Sequence, residues 1–155
     1  MHHEEIKLRK ATVHDVPAIA DIVNCYAQQG TMLPRPISRI YDNVRDYHVI
    51  EHNSEIIGCG ALHVMWADLA EIRAVALREE YTGKGYGRLL VEVLMEEAKD
   101  IEIQKVFVLT YRPEFFEKLK FTVIQKTELP HKIWSECVNC INFPDCSEVA
   151  MLRII

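Results

Sequence analysis

The chain has 155 residues, with 18 basic side chains against 23 acidic ones and a formal net charge of −5. Hydrophobic residues make up 49% of it and charged residues 26%, which excludes a disordered tail, a coiled coil and a collagen-like chain. The length predicts a single domain over residues 1–155, since domains usually run to about 100–200 residues, and the acidic balance argues against a nucleic-acid partner.

Two features of the sequence bear on its compartment. No apolar run reaches the ~18 residues that a membrane-spanning helix needs, and the segment Met1–Lys10 has no signal-peptide character. The five cysteines, an odd number, favour reduced thiols. These features predict a cytoplasmic protein with no membrane partner, and they leave a monomer and a homodimer equally open.

The first elements along the chain are predicted to be helical. Thr12 and Asp15 give a helix-start signal, and apolar residues recur at helical spacing from Val16 to Tyr26. The following residues 32–36 are predicted as a loop, and Ile37–Asp46 is predicted as a second, short helix.

Strands dominate the rest of the chain. The predicted strands are Tyr47–Glu51, Ile56–Met65, Ala70–Leu77, Lys105–Thr110, Phe121–Lys126 and Glu148–Leu152, and the predicted helices between them are Arg88–Lys99 and Glu114–Leu119. Residues 52–55 are predicted as the turn of a hairpin. This order of elements indicates a mixed α/β (α+β) domain.

Three of the six glycines crowd into one connection between a strand and a helix, at Gly83, Gly85 and Gly87. Glycines let the backbone turn sharply and approach a ligand closely. The start of a helix presents unpaired N–H groups that suit a pyrophosphate, and Lys84 and Arg88 add positive charge. A flexible connector is the plain alternative. The spacing fits neither a Walker loop nor a dinucleotide-binding fingerprint.

The run Val75-Ala76-Leu77, followed by this loop and a long helix, resembles the acetyl-CoA signature of the GNAT family of N-acetyltransferases. The resemblance implies a mostly antiparallel central sheet flanked by helices, with acetyl-CoA as the acetyl donor. It also implies that the strand backbone pairs with the pantetheine arm and that loop N–H groups hold the pyrophosphate. The implied cofactor-binding residues are Val75, Ala76, Leu77, Thr82, Gly83, Lys84, Gly85, Tyr86, Gly87 and Arg88. Thr82 stands where the family usually has Arg or Gln.

The likeness to this family extends over nearly the whole chain. Lys105–Phe121 resembles the family's next strand and helix, but Phe116 replaces a Tyr that is often the proton donor, and Lys120 replaces a Gly. Other segments resemble a narrower branch, the short single-domain N-acetylglutamate synthase of arginine biosynthesis, which implies acetylation of the α-amine of L-glutamate. These segments are Met32–Pro36 with Ile40, Tyr41 and Arg45–Tyr47, then Ala70–Arg73, and finally Leu129–Trp134 running into Cys137, Cys140 and Cys146.

Acyl transfer from a thioester to an amine requires a deprotonated amine. Glu71 is the candidate general base, directly or through a water, for an α-ammonium with a pKa of ~8. Strand alternation predicts Glu71, Arg73, Val75 and Leu77 on one face. A solvated strand charge, or a simple partner for Arg73, is the alternative role for Glu71. Tyr111 is the candidate proton donor to the departing sulfur, although a thiolate can also leave unaided.

A glutamate acceptor carries two carboxylates, and Arg is their natural bidentate partner. The predicted substrate-binding residues are Arg35, in a loop held by flanking prolines, Arg73, beside Glu71, and Arg112, just past a strand end. The alternative for each is an ordinary surface arginine. His63 is expected to be a packing residue within its strand.

Cys137, Cys140 and Cys146, with His131 as a fourth ligand, have part of the spacing of a zinc site. Unligated thiols fit the same spacing, and no metal site is predicted. Two rival functions stay open: the same transferase chemistry on another amino acid, a polyamine or a protein N-terminus, and a non-enzymatic module that binds CoA or metal. The second rival leaves Glu71 and the three arginines without a role.

Overall fold

The computed structural model describes residues 6–28, 35–129 and 148–155. Within these residues, helices flank a seven-stranded sheet, as predicted for a mixed α/β domain. The strands are β1 (Ile6–Lys10), β2 (Tyr47–His52), β3 (Glu55–Trp66), β4 (Leu69–Leu77), β5 (Lys105–Thr110), β6 (Thr122–Val123) and β7 (Val149–Ile154). The helices are α1 (Val16–Gln28), α2 (Ile37–Asp42), α3 (Tyr86–Asp100) and α4 (Pro113–Glu117). None of the helices described is both long and apolar enough to cross a lipid bilayer.

The strands lie in the order β1-β2-β3-β4-β5-β7-β6. Neighbouring strands are antiparallel except for β4 and β5, which are parallel, so the expected mostly antiparallel sheet is confirmed. The predicted hairpin between β2 and β3 is present. Its two turn residues, Asn53 and Ser54, have φ angles of 51° and 64°, as a tight two-residue hairpin turn requires.

The parallel strands β4 and β5 pair only over their first residues. Their register runs from Leu69 opposite Lys105 to Glu71 opposite Phe107, and the described residues show no β4–β5 pair beyond that point. The later part of β4 keeps β3 as its neighbour on the other side. The backbone N–H and C=O groups on its β5 side therefore have no strand beside them among the described residues, and a cleft separates the later parts of β4 and β5.

A bulge at Ala74 changes which side chains of β4 share a face. Ala74 has a φ of 55°, and the register with β3 shifts at this residue. Ala74 and Ala76 pack in the cluster that contains α1, whereas Val75 and Leu77 pack in the cluster that contains Leu90 of α3. The prediction that Val75 and Leu77 share a face with Glu71 is therefore wrong, because one inserted residue reverses the alternation.

Apolar clusters cover both faces of the sheet. On one face, α3 packs on β4 and β5 through residues such as Leu94 and Ile72. On the other face, α1 packs over β2, β3 and the end of β4, and a smaller cluster forms around Met65 and Phe107. Glu71 lies on this second face, opposite Phe107 in the sheet. It is thus a polar residue beside apolar packing.

Several element boundaries differ from the predictions. Strand β1 was not predicted, because its alternating charged residues on an edge strand give a weak apolar pattern. The second helix ends at Asp42 and gives way to a 3-10 turn, Val44–Asp46. The predicted strand Phe121–Lys126 is reduced to Thr122–Val123, with another 3-10 turn at Lys126–Glu128.

Candidate functional site

The glycine loop connects the open end of β4 to α3. Gly83 and Gly85 have φ angles of 76° and 88°, a backbone conformation that favours glycine. No atom lies within 4 Å of where a Cβ would stand, so lack of space is not the reason for glycine at these two positions. Helix α3 begins at Tyr86, directly after Gly85, two residues earlier than predicted. The first helical hydrogen bond runs from the Leu89 N–H to the Gly85 oxygen at 3.2 Å, which leaves the preceding N–H groups aimed at the loop.

Gly87 and Thr82 have packing and hydrogen-bonding roles within and beside the loop. A Cβ on Gly87 would meet the Phe115 ring at 3.3 Å, so this glycine allows α3 to pack closely on α4. The Thr82 hydroxyl donates to the Glu79 oxygen at 2.8 Å and closes a 3-10 turn. Lys84 is exposed, with its Nζ 5.6 Å from the centre of the Tyr81 ring. The loop thus presents backbone N–H groups and a nearby cation to solvent.

The base of the loop is tied to the sheet and to α1. The Arg78 guanidinium donates to the Ile56 oxygen at 2.9 Å and pairs with Asp21 of α1 at 3.0 Å. The Tyr81 hydroxyl lies 2.9 Å from His52 Nδ1. These contacts fasten the base of the loop to β2, β3 and α1.

The mouth of the cleft between β4 and β5 is lined by α1 and by the residues after β5. The Tyr26 hydroxyl donates to the Leu77 carbonyl. Burial raises the pKa of Tyr26, and the positive charge of Arg112 opposes that shift, so Arg112 lies within electrostatic range of Tyr26. Tyr111 and Arg112 directly follow Thr110, the last residue of β5, whose hydroxyl accepts the Arg112 N–H at 2.8 Å.

Glu71 and Arg73 form an ion pair on the α1 face of the sheet. The Arg73 Nε donates to Glu71 Oε1 at 2.5 Å, and the two side chains are 9% and 10% exposed. The pairing that the sequence left open is therefore present. Because the pair is nearly buried, it is well shielded from solvent.

Arg35 lies near this pair. The side-chain amide of Asn24, in α1, makes two hydrogen bonds to the Arg35 main chain. Its Oδ1 accepts the Arg35 N–H at 3.2 Å, and its Nδ2 donates to the Arg35 oxygen at 3.4 Å. The Nε of Arg35 is buried and has no hydrogen-bond partner among the described residues. Burial raises the pKa of Tyr47 to about 12, while the charges of Arg35 and Arg73 both oppose the rise. Both guanidinium groups thus lie within electrostatic range of the Tyr47 hydroxyl, whereas Arg112 acts on Tyr26.

Sequence reasoning missed a second polar pair on the same face. His63 Nδ1 lies 2.6 Å from Asp46 Oδ2, and the side chains are 26% and 25% exposed. His63 is the direct β3 partner of Glu71 in β4. The predicted hairpin could have indicated this pair, because its register places Tyr47 opposite Ala61 and so brings Asp46 close to His63. The expectation that His63 is a packing residue is wrong for this reason.

Phe116 is a core residue. It is buried, and its ring meets those of Phe115 and Phe121 edge-on at 5.0 Å and 5.4 Å between centroids. Lys120, which stands where the family has Gly, takes the left-handed conformation with a φ of 71°. The predicted metal-ligand candidates His131, Cys137, Cys140 and Cys146 lie outside the described residues, as do residues 32–34 of the predicted loop.

Two relatives cover most of the chain, and residues 17–121 match the model of the acetyltransferase (GNAT) family. An uncharacterized N-acetyltransferase of Chlorobaculum tepidum is 38% identical over 148 residues, which span 96% of each chain. An amino-acid acetyltransferase of Mycobacterium tuberculosis is 40% identical over 132 residues, which span 83% of this chain and 75% of the relative.

Two solved structures resemble the fold closely. The crystal structure of Rv2747 from Mycobacterium tuberculosis, in complex with CoA and NLQ, has a TM-score of 0.82 and 35% identity, covering 96% of this chain and 99% of that one. The N-acetylglutamate synthase of Neisseria gonorrhoeae, complexed with coenzyme A and N-acetyl-glutamate, has a TM-score of 0.86. It is 24% identical and covers 99% of this chain but 36% of its own, so it shows the fold alone.

Proposed function

Because the chain belongs to the acetyltransferase (GNAT) family and takes its acetyl group from acetyl-CoA, we propose that its acceptor is the α-amine of L-glutamate. One observation carries the proposal: Arg35 buries an Nε without a partner among the described residues, close to Arg73 and Tyr47. A buried guanidinium N–H of this kind calls for an anionic acceptor. The relative from Mycobacterium tuberculosis, 40% identical, is named an amino-acid acetyltransferase, which supports an amino-acid acceptor.

The donor side of the proposed site uses the cleft and the glycine loop. The β4 backbone at Val75, Ala76 and Leu77 faces the cleft on its β5 side and suits the amide groups of a pantetheine arm. The N–H groups from Gly83 to Arg88 suit the pyrophosphate, since they start a 15-residue helix. Lys84 and Arg88 supply positive charge, Tyr86 fixes the start of the helix, and Thr82 shapes the turn before it.

The acceptor side uses the two arginines whose charges act on Tyr47. We assign Arg35 and Arg73 to the two carboxylates of glutamate, because a guanidinium binds a carboxylate through two parallel N–H groups. Arg35 has its main chain fixed by Asn24, so its side chain starts from a defined position. Arg112 is the third candidate, within electrostatic range of Tyr26.

The chemistry that we propose is direct attack on the thioester. Glu71 takes a proton from the α-ammonium, directly or through a water, and the amine nitrogen forms a bond to the carbonyl carbon. The C–S bond then breaks, and Tyr111, after β5, donates a proton to the sulfur. The attacking nitrogen gives up its second proton in the same collapse, and this proton restores the Tyr111 hydroxyl. One ammonium and one thioester give one amide, one thiol and one released proton. The backbone N–H groups of β4 at the cleft are placed to stabilise the developing oxyanion.

A thiol-release assay with acetyl-CoA and each free amino acid tests the substrate assignment. We expect glutamate to give the highest kcat/KM, well above that of glutamine, which has the same size without the second charge. Losing one charged contact costs about 1.5–3 kcal/mol, so the glutamine value is expected to be about ten-fold to a hundred-fold lower. A glutamate rate no greater than that for glycine or lysine would overturn the assignment.

The left-handed glycine before α3 allows a test of the donor site. Replacing Gly85 by Ala is expected to raise the Kd for CoA by about ten-fold, because a Cβ disfavours the left-handed conformation by roughly 1–2 kcal/mol and the loop relaxes away from it in the free protein. Titration calorimetry with CoA measures the change. Gly85→Asn is the matched variant and is expected to bind more tightly than Gly85→Ala, since Asn tolerates this conformation better. Equal affinities for the wild type and the Ala variant would contradict the assignment.

A further inference from the structure

We propose that His63, oriented by Asp46, is the second proton acceptor of the site and receives the proton that Glu71 takes from the amine. The inference deepens the proposed function and rests on it, because it assigns a path for a proton that acyl transfer to an amine must remove. It concerns a pair of side chains that the reaction as described above does not use.

The position of His63 in the sheet makes the transfer geometrically reasonable. His63 and Glu71 are direct partners in the antiparallel β3–β4 pair. Side chains of such partners project from the same face, with Cβ atoms about 4.5–5.5 Å apart. This is the face on which Arg73 pairs with Glu71 and on which Tyr47 opposes Ala61. His63 is therefore next to the proposed base, on the acceptor side of the sheet.

The contact with Asp46 fixes the state of the imidazole. With His63 Nδ1–H donating to Asp46 Oδ2 at 2.6 Å, the neutral ring carries its lone pair on Nε2. The same contact is kept when Nε2 accepts a proton, because Nδ1–H still donates to the Asp46 carboxylate. Asp46 is accordingly a positioning residue for the imidazole.

Glu71 alone is a poor final holder of the proton. Its Oε1 already accepts an N–H from Arg73 at 2.5 Å, so a proton on the carboxyl would sit beside a fixed positive charge. Passing the proton on to the imidazole returns Glu71 to its ion pair with Arg73.

The charges that face His63 from neighbouring elements are consistent with this role. They are Asp46, from the 3-10 turn before β2, and Glu71 with its partner Arg73, from β4. In the step itself, the O–H bond on Glu71 breaks and an N–H bond forms on His63 Nε2. The imidazolium later releases this proton to solvent, which is the one proton that the overall reaction yields.

The test compares His63→Ala and Asp46→Asn with the wild type in the thiol-release assay. For His63→Ala we expect kcat to fall by about a hundred-fold, within the range for removal of an acid–base group, with the KM for acetyl-CoA unchanged. Added imidazole is expected to restore a large part of the lost rate. Asp46→Asn is expected to lower kcat by about ten-fold, without rescue by imidazole. His14→Ala is the matched control, because His14 is exposed on a 3-10 turn before α1.

A His63→Ala variant with a kcat within a few-fold of the wild type would overturn the proposal. So would a loss of rate that imidazole does not restore in a variant whose thermal unfolding matches that of the wild type. The substrate assignment fails separately: if the wild type prefers another amine, the same comparison is made with that amine, and rescue by imidazole still decides the role of His63.

Discussion

The replacement Glu71→Gln is expected to lower kcat by about 10³-fold, because it removes the group that accepts the proton from the amine. Gln keeps the size of the side chain and one oxygen for the Arg73 Nε–H, but it has no charge with which to attract a proton. Glu71 lies outside the glycine loop and the later part of β4, so the Kd for CoA is expected to stay the same. Single-turnover kinetics and CoA titration separate the two effects.

Two measurements distinguish a loss of catalysis from a loss of structure in this variant. Glu96→Gln is the matched control, since Glu96 is exposed on α3, a helix that packs on the opposite face of the sheet. The thermal unfolding of the Glu71 variant is measured as well, because weakening a charged hydrogen bond at a nearly buried pair costs about 1.5–3 kcal/mol of stability. A folded variant with near-normal turnover would exclude Glu71 as the base.

The second large effect concerns acceptor affinity. Arg35→Ala is expected to raise the KM for glutamate by about 10²–10³-fold, since removing one partner of a buried charge pair costs about 2–5 kcal/mol. The KM for acetyl-CoA is expected to stay constant, because the cleft and the glycine loop lie elsewhere on the protein. Initial rates at varied glutamate and at varied acetyl-CoA measure the two constants independently.

Two further variants make the role of Arg35 specific. Arg35→Lys keeps the charge but loses the planar fork, so its KM is expected to lie between those of the wild type and the Ala variant. Arg39→Ala removes an exposed arginine four residues along, in α2, and is expected to leave the KM for glutamate unchanged. If the Ala variants at both positions behave like the wild type, Arg35 does not bind the acceptor.

Local patterns were enough to predict the strand, turn and helix around the glycine loop. The strand before the glycines, the turn and the amphipathic helix each have a signature that depends only on near neighbours in the sequence. The closeness of Glu71 and Arg73 follows from two-residue spacing along a strand. The boundary of α3 was missed by two residues because Gly85, in its left-handed conformation, ends the loop earlier than the apolar stripe indicates.

The acceptor half depends on contacts between distant parts of the chain. Nothing in the residues around Ala74 indicates that an alanine takes a φ of 55°, so the reversal of faces after Arg73 could not be read from alternation. The pairing of His63 with Asp46 depends on the register of the β2–β3 hairpin. The approach of Arg35 to Tyr47 depends on Asn24 of α1, which is eleven residues earlier. Such features arise from tertiary packing, which local propensity does not determine.

Helix α1 connects the two halves of the site through two residues close together in sequence. Asn24 holds the main chain of Arg35, and Tyr26 donates its hydroxyl to the carbonyl of Leu77 in the donor strand. Side chains two positions apart on a helix point in nearly opposite directions, about 200° apart around its axis. In the proposed site, this helix therefore sets the distance between the acceptor arginine and the donor strand. A small rotation of α1 would move the two relative to each other, so we expect the packing of α1 on the sheet to control how close the amine comes to the thioester.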